Sequence, residues 1–215
     1  MEKIFITGGT GYMGRRLIAI LLSKGFEVHA LVRETSVDKL PQRCIAVVAN
    51  AFAAESFSVA VPTGCTFVQL LGVAHPGPGK KNEFKQIDLA SARASAEAAK
   101  KAGAAHFVYV SVAQERTNIM SDYQQCRALG EEAIKTTGVP ATFIRPWYVV
   151  GPGHYWPLFF QPLFKFLEWI PFTSKKAKAL RLVTLKQMLK ALSYAIENPP
   201  VKGIEIMEID TINRM

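Results

Sequence analysis

Residues 7–14 read TGGTGYMG, directly after the β-rich run KIFIT and directly before GRRLIAILLSKG, whose apolar residues recur at helical spacing. No other stretch restricts the fold as tightly. Gly8, Gly11 and Gly14 fall at three-residue intervals, and Gly9-x-Gly11-x-x-Gly14 is a second reading of the same loop. A glycine turn between a first strand and a first helix presents unpaired helix N–H groups with no Cβ in front of them. A pyrophosphate can lie there. Gly8 or Gly9 suits the tight turn, Gly11 the close backbone approach, and Gly14 the packing of helix on strand. A structural turn would also use glycine, but a strand before the loop and a helix after it are the context that dinucleotide binding demands. Thr7, Thr10, Tyr12 and Met13 complete the predicted cofactor loop.

The rest of the chain repeats the alternation. FEVHALVR, CIAVVANA, CTFVQLLGVA, AHFVYVSVA, ATFIRP and GIEIMEI read as further strands. Residues 84–102 read as an alanine-rich helix stopped by Gly103. Another helix opens at Ser121, with Gln124 completing a capping box, and closes at Gly138. Alternating strands and helices predict an α/β fold: a Rossmann-like, doubly wound parallel sheet with helices on both faces. The strand runs are nearly all apolar, as both-face burial requires. The expected organisation is a dinucleotide-binding core over residues 1–154, an apolar and basic substrate-side or interface segment over 155–182, and a helix and strand over 183–215 that return to the core.

The second strand bears on the choice of cofactor. Arg33 stands where sites for NAD usually place an acid, and a guanidinium there suits the 2′-phosphate of NADP. Glu34 follows at once, so NAD stays open. Asn50 and Ala51 end the third strand and are further candidate cofactor residues. Leu71, Gly72, Val73 and Ala74 end the fourth and should border the middle of the cofactor. His75 comes next, at the expected pocket mouth or simply on the surface.

The three cysteines, Cys44, Cys65 and Cys126, are odd in number and widely spaced. That argues against a disulfide framework and suits a reducing cytoplasm. Four scattered histidines give no metal-ligand spacing, so no metal site is expected. The apolar start leads straight into a glycine turn, and no secretory signal is read.

Residues 155–172, YWPLFFQPLFKFLEWIPF, are aromatic and apolar but interrupted by Pro157, Gln161, Pro162, Lys165 and Glu168, which excludes a membrane span. Three readings remain: an apolar lid with Trp156 and Phe159 on a substrate pocket, a homo-oligomer interface, or contact with a membrane surface. The last draws on the basic run from Lys175 to Lys190, which carries much of the net charge of +9. Nucleic acid is not an expected partner, because that run has no aromatic side chain for stacking.

Four stretches, TGGTGYMG, HFVYVSV, YQQCR and FIRPWYVVGPG, resemble the atypical and extended short-chain dehydrogenase/reductases, including NmrA-like proteins and relatives of the nucleoside-diphosphate-sugar epimerases. The resemblance implies an NAD(P)-dependent oxidoreductase with a catalytic serine at the end of the fifth strand, matched by Ser111, and a tyrosine on the next helix, matched by Tyr123. It implies a lysine four residues on, where this chain has Arg127. In the family that cation lowers the tyrosine pKa and grips the nicotinamide ribose. Arg127 would supply the charge, although its planar head is not equivalent to an ammonium. A second departure puts Asp88 where relatives often carry asparagine. Pro146, Trp147 and Tyr148 match the segment lining the nicotinamide, with Trp147 also facing the substrate pocket. The implied function is an NADP(H)-dependent oxidoreductase on a small or apolar carbonyl or quinone-like substrate. A non-catalytic NADP(H)-binding sensor or assembly subunit is the alternative, and a sugar-nucleotide epimerase-like enzyme is the minor one.

Overall fold

The computed structural model describes residues 2–74, 76–77, 79–115, 120–153 and 182–215. Their strands are β1 (Lys3–Thr7), β2 (Glu27–Val32), β3 (Ile45–Val48), β4 (Thr66–Gln69), β5 (His106–Val110), β6 (Ala141–Arg145), β7 (Tyr148–Val150), β8 (Leu182–Thr184) and β9 (Ile204–Glu208). Seven form one sheet in the order β3-β2-β1-β4-β5-β6-β9, all parallel. β7 and β8 make a separate parallel pair. The order reverses between β1 and β4, which is where open α/β sheets form a crevice at the carboxyl ends of their strands.

The pleat divides the core by residue type. Ile4 and Ile6 of β1 face one side with Val68 and Val108. There they meet Leu17, Ile18 and Leu21 of α1 (Gly14–Ser23). Met188, Leu192 and Ile196 of α4 (Leu185–Glu197) join the same cluster. Phe5 faces the other side with Phe67 and Phe107, whose ring centroids lie 5.1 Å and 5.0 Å apart along the row. Each of these rings is fully buried, worth about 1.5–3 kcal/mol apiece. The layer above them is α2 (residues 81–102), with Ala92, Ala96 and Ala99 turned inward; small side chains let a helix sit close on a row of rings. α3 (Ser121–Lys135) lies beside it, and α5 (Ile209–Asn213) closes the chain.

Local geometry departs from the sequence reading in three places. The alanine-rich helix α2 begins earlier, at Lys81–Glu83, and passes through a π turn over Phe84–Leu89 before Ala90–Ala102. Such turns occur often at functional sites, and this one holds Asp88. The expected capping box at Ser121 does not form. Met120, in the left-handed region with φ 60°, is the N-cap. Gln124 instead donates to the carbonyls of Ala113 (2.7 Å) and Glu115 (2.9 Å), tying α3 to the loop after β5. A capping box does form at Thr184 and Gln187, where β8 enters α4. The third departure is β3, whose residues are mostly exposed. Only the short 3-10 turns Ala54–Ser56 and Ser58–Ala60 link it to β4 within the described residues, so no full helix covers that edge. No helix among the described residues is long and apolar enough to cross a membrane. Trp156 and Phe159, and nearly all of the 155–182 segment, lie outside the described residues, as does His75.

Candidate active site

The glycine loop is shaped by contacts that only hydrogen at Cα allows. Gly8 has φ +75°, and a Cβ there would lie 2.8 Å from the amide nitrogen of Leu71. A Cβ on Gly14 would land on the Gly8 carbonyl oxygen and 2.8 Å from the Gly9 Cα. A Cβ on Gly9 would stand 3.0 Å from the Ala30 and Ile18 side chains. Gly11 is different: a Cβ there would meet only the Gly8 oxygen, at 3.1 Å. It is exposed on the cleft side. α1 follows with no acidic side chain in its first turn. Arg16 folds back over the Tyr12 ring (4.8 Å) and donates to the Tyr12 carbonyl at 2.7 Å. This is a cradle for an anion at a helix N-terminus.

The loop forms one wall of a cleft of about 310 Å³ at the carboxyl ends of β1, β4, β5 and β6. Gly8, Gly11, Tyr12, Met13 and Gly14 line it from the loop; Gly72, Val73 and Ala74 come from beyond β4. Ser111, Tyr123 and Arg127 line it from β5 and α3, and Pro146, Trp147 and Tyr148 from beyond β6. All of these were expected from the sequence. Leu70, Pro76, Val110, Val112 and Val149 also line it and were not. Leu70 and Val110 follow or end β4 and β5, next to residues that line the cleft, so the strand ends mark their place in the sequence.

Several expected cofactor residues lie elsewhere. Thr7 is fully buried, and its hydroxyl donates to Gln69, whose amide continues to Ser91 at 2.9 Å. Its side chain serves the sheet rather than the cleft. Thr10 and Gly9 do not line the cleft, nor does Leu71, whose backbone packs beneath Gly8. Arg33 is exposed at the end of β2, and Asn50 is exposed after β3, where its carboxamide oxygen accepts from the Phe52 N–H at 3.1 Å. Ala51 is half-buried beside it. None of these last three lines the cleft. Among the described residues, no group of His, Cys, Asp and Glu could hold a metal.

At the cleft floor the two departures from the family pattern meet. Arg127 Nη2 lies 2.6 Å from Asp88 Oδ1, with both side chains almost fully buried. Arg127 Nη1 donates to the Val110 carbonyl at 3.0 Å, and Nε donates to the Tyr123 hydroxyl at 3.1 Å. The guanidinium lies 5.7 Å from the Tyr109 ring centre and 5.2 Å from that of Tyr123. The other Asp88 oxygen accepts from the Val73 N–H at 3.1 Å. Gly72 makes room: a Cβ there would overlap the Arg127 guanidinium and stand 2.7 Å from Asp88 Oδ1. No spacing rule links the π turn, the end of β4 and α3, so this assembly could not be read from sequence.

Its electrostatics reverse one expectation. Burial raises Tyr123 above the ordinary phenol value; Arg127 pulls it back, and Asp88 adds to the rise. The cation alone would favour phenolate, but burial outweighs it and the adjacent carboxylate opposes it. Tyr109, beside them, is pushed up to about 12 by burial. Tyr123 therefore stands as a neutral O–H donor at neutral pH. Ser111 is 2% exposed in the cleft wall, and its Oγ has no hydrogen-bond partner among the described residues.

A nicotinamide dinucleotide fits these residues: a glycine cradle at a helix N-terminus, a cleft at the switch point, and in its wall a buried hydroxyl with no partner among the described residues. Known proteins agree. Ceramide reductase of Caulobacter vibrioides (strain NA1000 / CB15N) is 30% identical over 152 residues, which span 70% of this chain and 47% of that protein. Fatty acid hydroxylase uhd1 of Mycosarcoma maydis is 24% identical over 185 residues, spanning 70% of this chain and 60% of that one. The chain thus spans about half the length of the curated relatives it matches. The Bordetella bronchiseptica enzyme WbmH, solved in complex with NAD+, superposes with a TM-score of 0.71 at 19% identity, over 97% of this chain and 76% of that one. A UDP-galactose 4-epimerase does so with a TM-score of 0.68 at 15% identity, over 95% and 75% of the two chains. The fold is theirs, and the model of NAD(P)H-binding proteins matches residues 8–151, from the glycine loop to the end of β7; the chain belongs to the NAD(P)H-binding family.

Proposed function

We propose that this protein is an NADPH-dependent reductase of an apolar carbonyl compound, with Tyr123 as the proton donor. The observation that carries the reading is that Tyr123 lines the same cleft as Ser111, whose hydroxyl has no partner among the described residues, with the Tyr123 phenol held above its ordinary pKa by burial. Reduction of a carbonyl needs a proton at its oxygen, and a phenol held above its ordinary pKa arrives with that proton in place. Bound across the cradle, the dinucleotide supplies the hydride. Ser111 Oγ would hydrogen-bond the carbonyl oxygen and orient it toward Tyr123.

The cleft offers an apolar substrate several contacts. Met13, Pro76, Val112, Trp147 and Val149 line the cleft. Together with the ceramide reductase likeness, this favours a long-chain ketone or aldehyde over a sugar nucleotide. Arg33 favours NADP over NAD, because its exposed guanidinium stands at the end of β2 and can meet a 2′-phosphate.

Consumption of NADPH and NADH, followed with long-chain ketones, aldehydes and quinones, tests this. Tyr123→Phe should lower kcat by about 10²–10⁴-fold, the usual worth of a positioned proton donor. Equal rates for the two proteins would remove Tyr123 from the reaction. One observation favours a second reading, a binding protein without turnover: Arg127 is ion-paired with Asp88 and donates to Val110 and Tyr123. Tight NADPH binding with no oxidation by any of these compounds would select it.

A further inference from the structure

We infer that Asp88 and Arg127 act as one charge-neutral unit, with Asp88 the positioning residue that withholds the guanidinium from the cofactor and aims it at the Tyr123 hydroxyl. The inference rests on the reading of Tyr123 as proton donor and adds a residue to it.

Three independent contacts fix the unit. Asp88 holds Arg127 Nη2 at 2.6 Å with one oxygen and the Val73 N–H at 3.1 Å with the other. The π turn over Phe84–Leu89 is what brings Asp88 to this depth, and Phe84 of the same turn packs on the Tyr123 ring at 5.0 Å. The Val110 carbonyl takes Nη1 at 3.0 Å, so the Nε edge of the guanidinium is left for Tyr123 at 3.1 Å. Gly72 and Gly130 are the openings that admit the assembly. A Cβ on Gly72 would meet Asp88 and Arg127, and one on Gly130 would stand 2.5 Å from the Tyr109 hydroxyl.

Neutrality is the functional point. A lone buried cation beside Tyr123 would lower its pKa and favour phenolate, which has no proton to give. Among the described residues, the charged and titratable groups around Tyr123 are few. On its own helix are Arg127, Cys126 and Asp122, the last paired with Lys81 at 2.8 Å. The π turn contributes Asp88 and the more distant Lys85, and β5 contributes Tyr109. Asp88 is the counter-charge to Arg127 among them.

Asp88→Asn should therefore move the titration of Tyr123 down by about one pH unit or more. The readouts are the basic limb of kcat against pH and, without any turnover, the tyrosinate absorbance difference against Tyr123→Phe in the same background. The double variant Asp88→Asn/Arg127→Met removes both charges and leaves no buried ion unpaired, so it should fold even where the single variants do not. In it the Tyr123 titration should return to within about half a unit of wild type, and the NADPH Kd should stay within about twofold. A Kd raised roughly tenfold or more in the double variant would show that Arg127 grips the cofactor and overturn the inference. An unmoved tyrosinate titration in folded Asp88→Asn would overturn it too. If no carbonyl is turned over by wild type, the proposed activity fails on its own, while absorbance and Kd still decide this unit.

Discussion

Gly8 and Gly11 sit in the same loop, yet alanine should act on them in opposite ways. At Gly8 the left-handed backbone costs alanine roughly 1–2 kcal/mol. Its Cβ would also stand 2.8 Å from the Leu71 nitrogen and 2.9 Å from the Leu70 carbonyl carbon, which are backbone atoms beyond β4 and cannot swing aside. Overpacking of that kind adds about 1–3 kcal/mol. Gly8→Ala should thus lose about 2–5 kcal/mol of stability. Gly11 has no positive φ, and its new Cβ would press only on one oxygen at 3.1 Å. That small strain is offset by the roughly 0.4–1 kcal/mol that alanine gains by restricting the unfolded chain. Gly11→Ala should melt within about 1 kcal/mol of wild type. Its Cβ nevertheless stands on the cleft side, where a phosphate must approach the backbone. Losing one charge-assisted hydrogen bond there costs about 1.5–3 kcal/mol, or roughly ten- to hundredfold in Kd. Urea unfolding and titration of NADPH fluorescence measure the two quantities separately. A folded Gly11→Ala protein that binds NADPH as wild type does would refute the cradle.

Two further outcomes follow from buried polar groups. Ser111→Ala removes a hydroxyl with no partner among the described residues, so thermal stability should stay level or rise slightly while kcat falls. A drop in Tm of several degrees would show that the hydroxyl has a structural partner. His106 is 1% exposed, bonded through Nε2 to Thr142 Oγ1 at 3.0 Å, and burial lowers its pKa from 6.5 to about 4. The unfolded chain binds a proton there between those values and the folded chain does not, so stability is complete above pH 6.5 and falls as pH drops toward 4. The loss amounts to roughly 3 kcal/mol. His106→Gln should flatten the unfolding free energy across that window, and an unchanged slope would assign the dependence to other groups.

What the sequence alone determined is local and periodic. Strand runs with apolar residues on both faces, helices between them and a glycine loop after β1 require a parallel sheet and a helix N-terminus open to an anion. These features depend on neighbours within a few residues, and they hold from TGGTGYMG to the strand that ends in Arg145. The serine, the tyrosine and the proline segment were legible only through a family resemblance, since each stands on a different strand or helix and no local period links them. The tertiary structure decided what those residues are worth. It buries Thr7 in a polar chain within the sheet, turns Gln124 from a cap into a tether, and leaves the β3 edge largely uncovered. Above all, it brings Asp88 and Arg127 to 2.6 Å beneath Gly72. In sequence they are two separate departures from a pattern. In the fold they cancel each other's charge, and removing either one alone would leave the other buried and uncompensated, at a cost of about 3–5 kcal/mol.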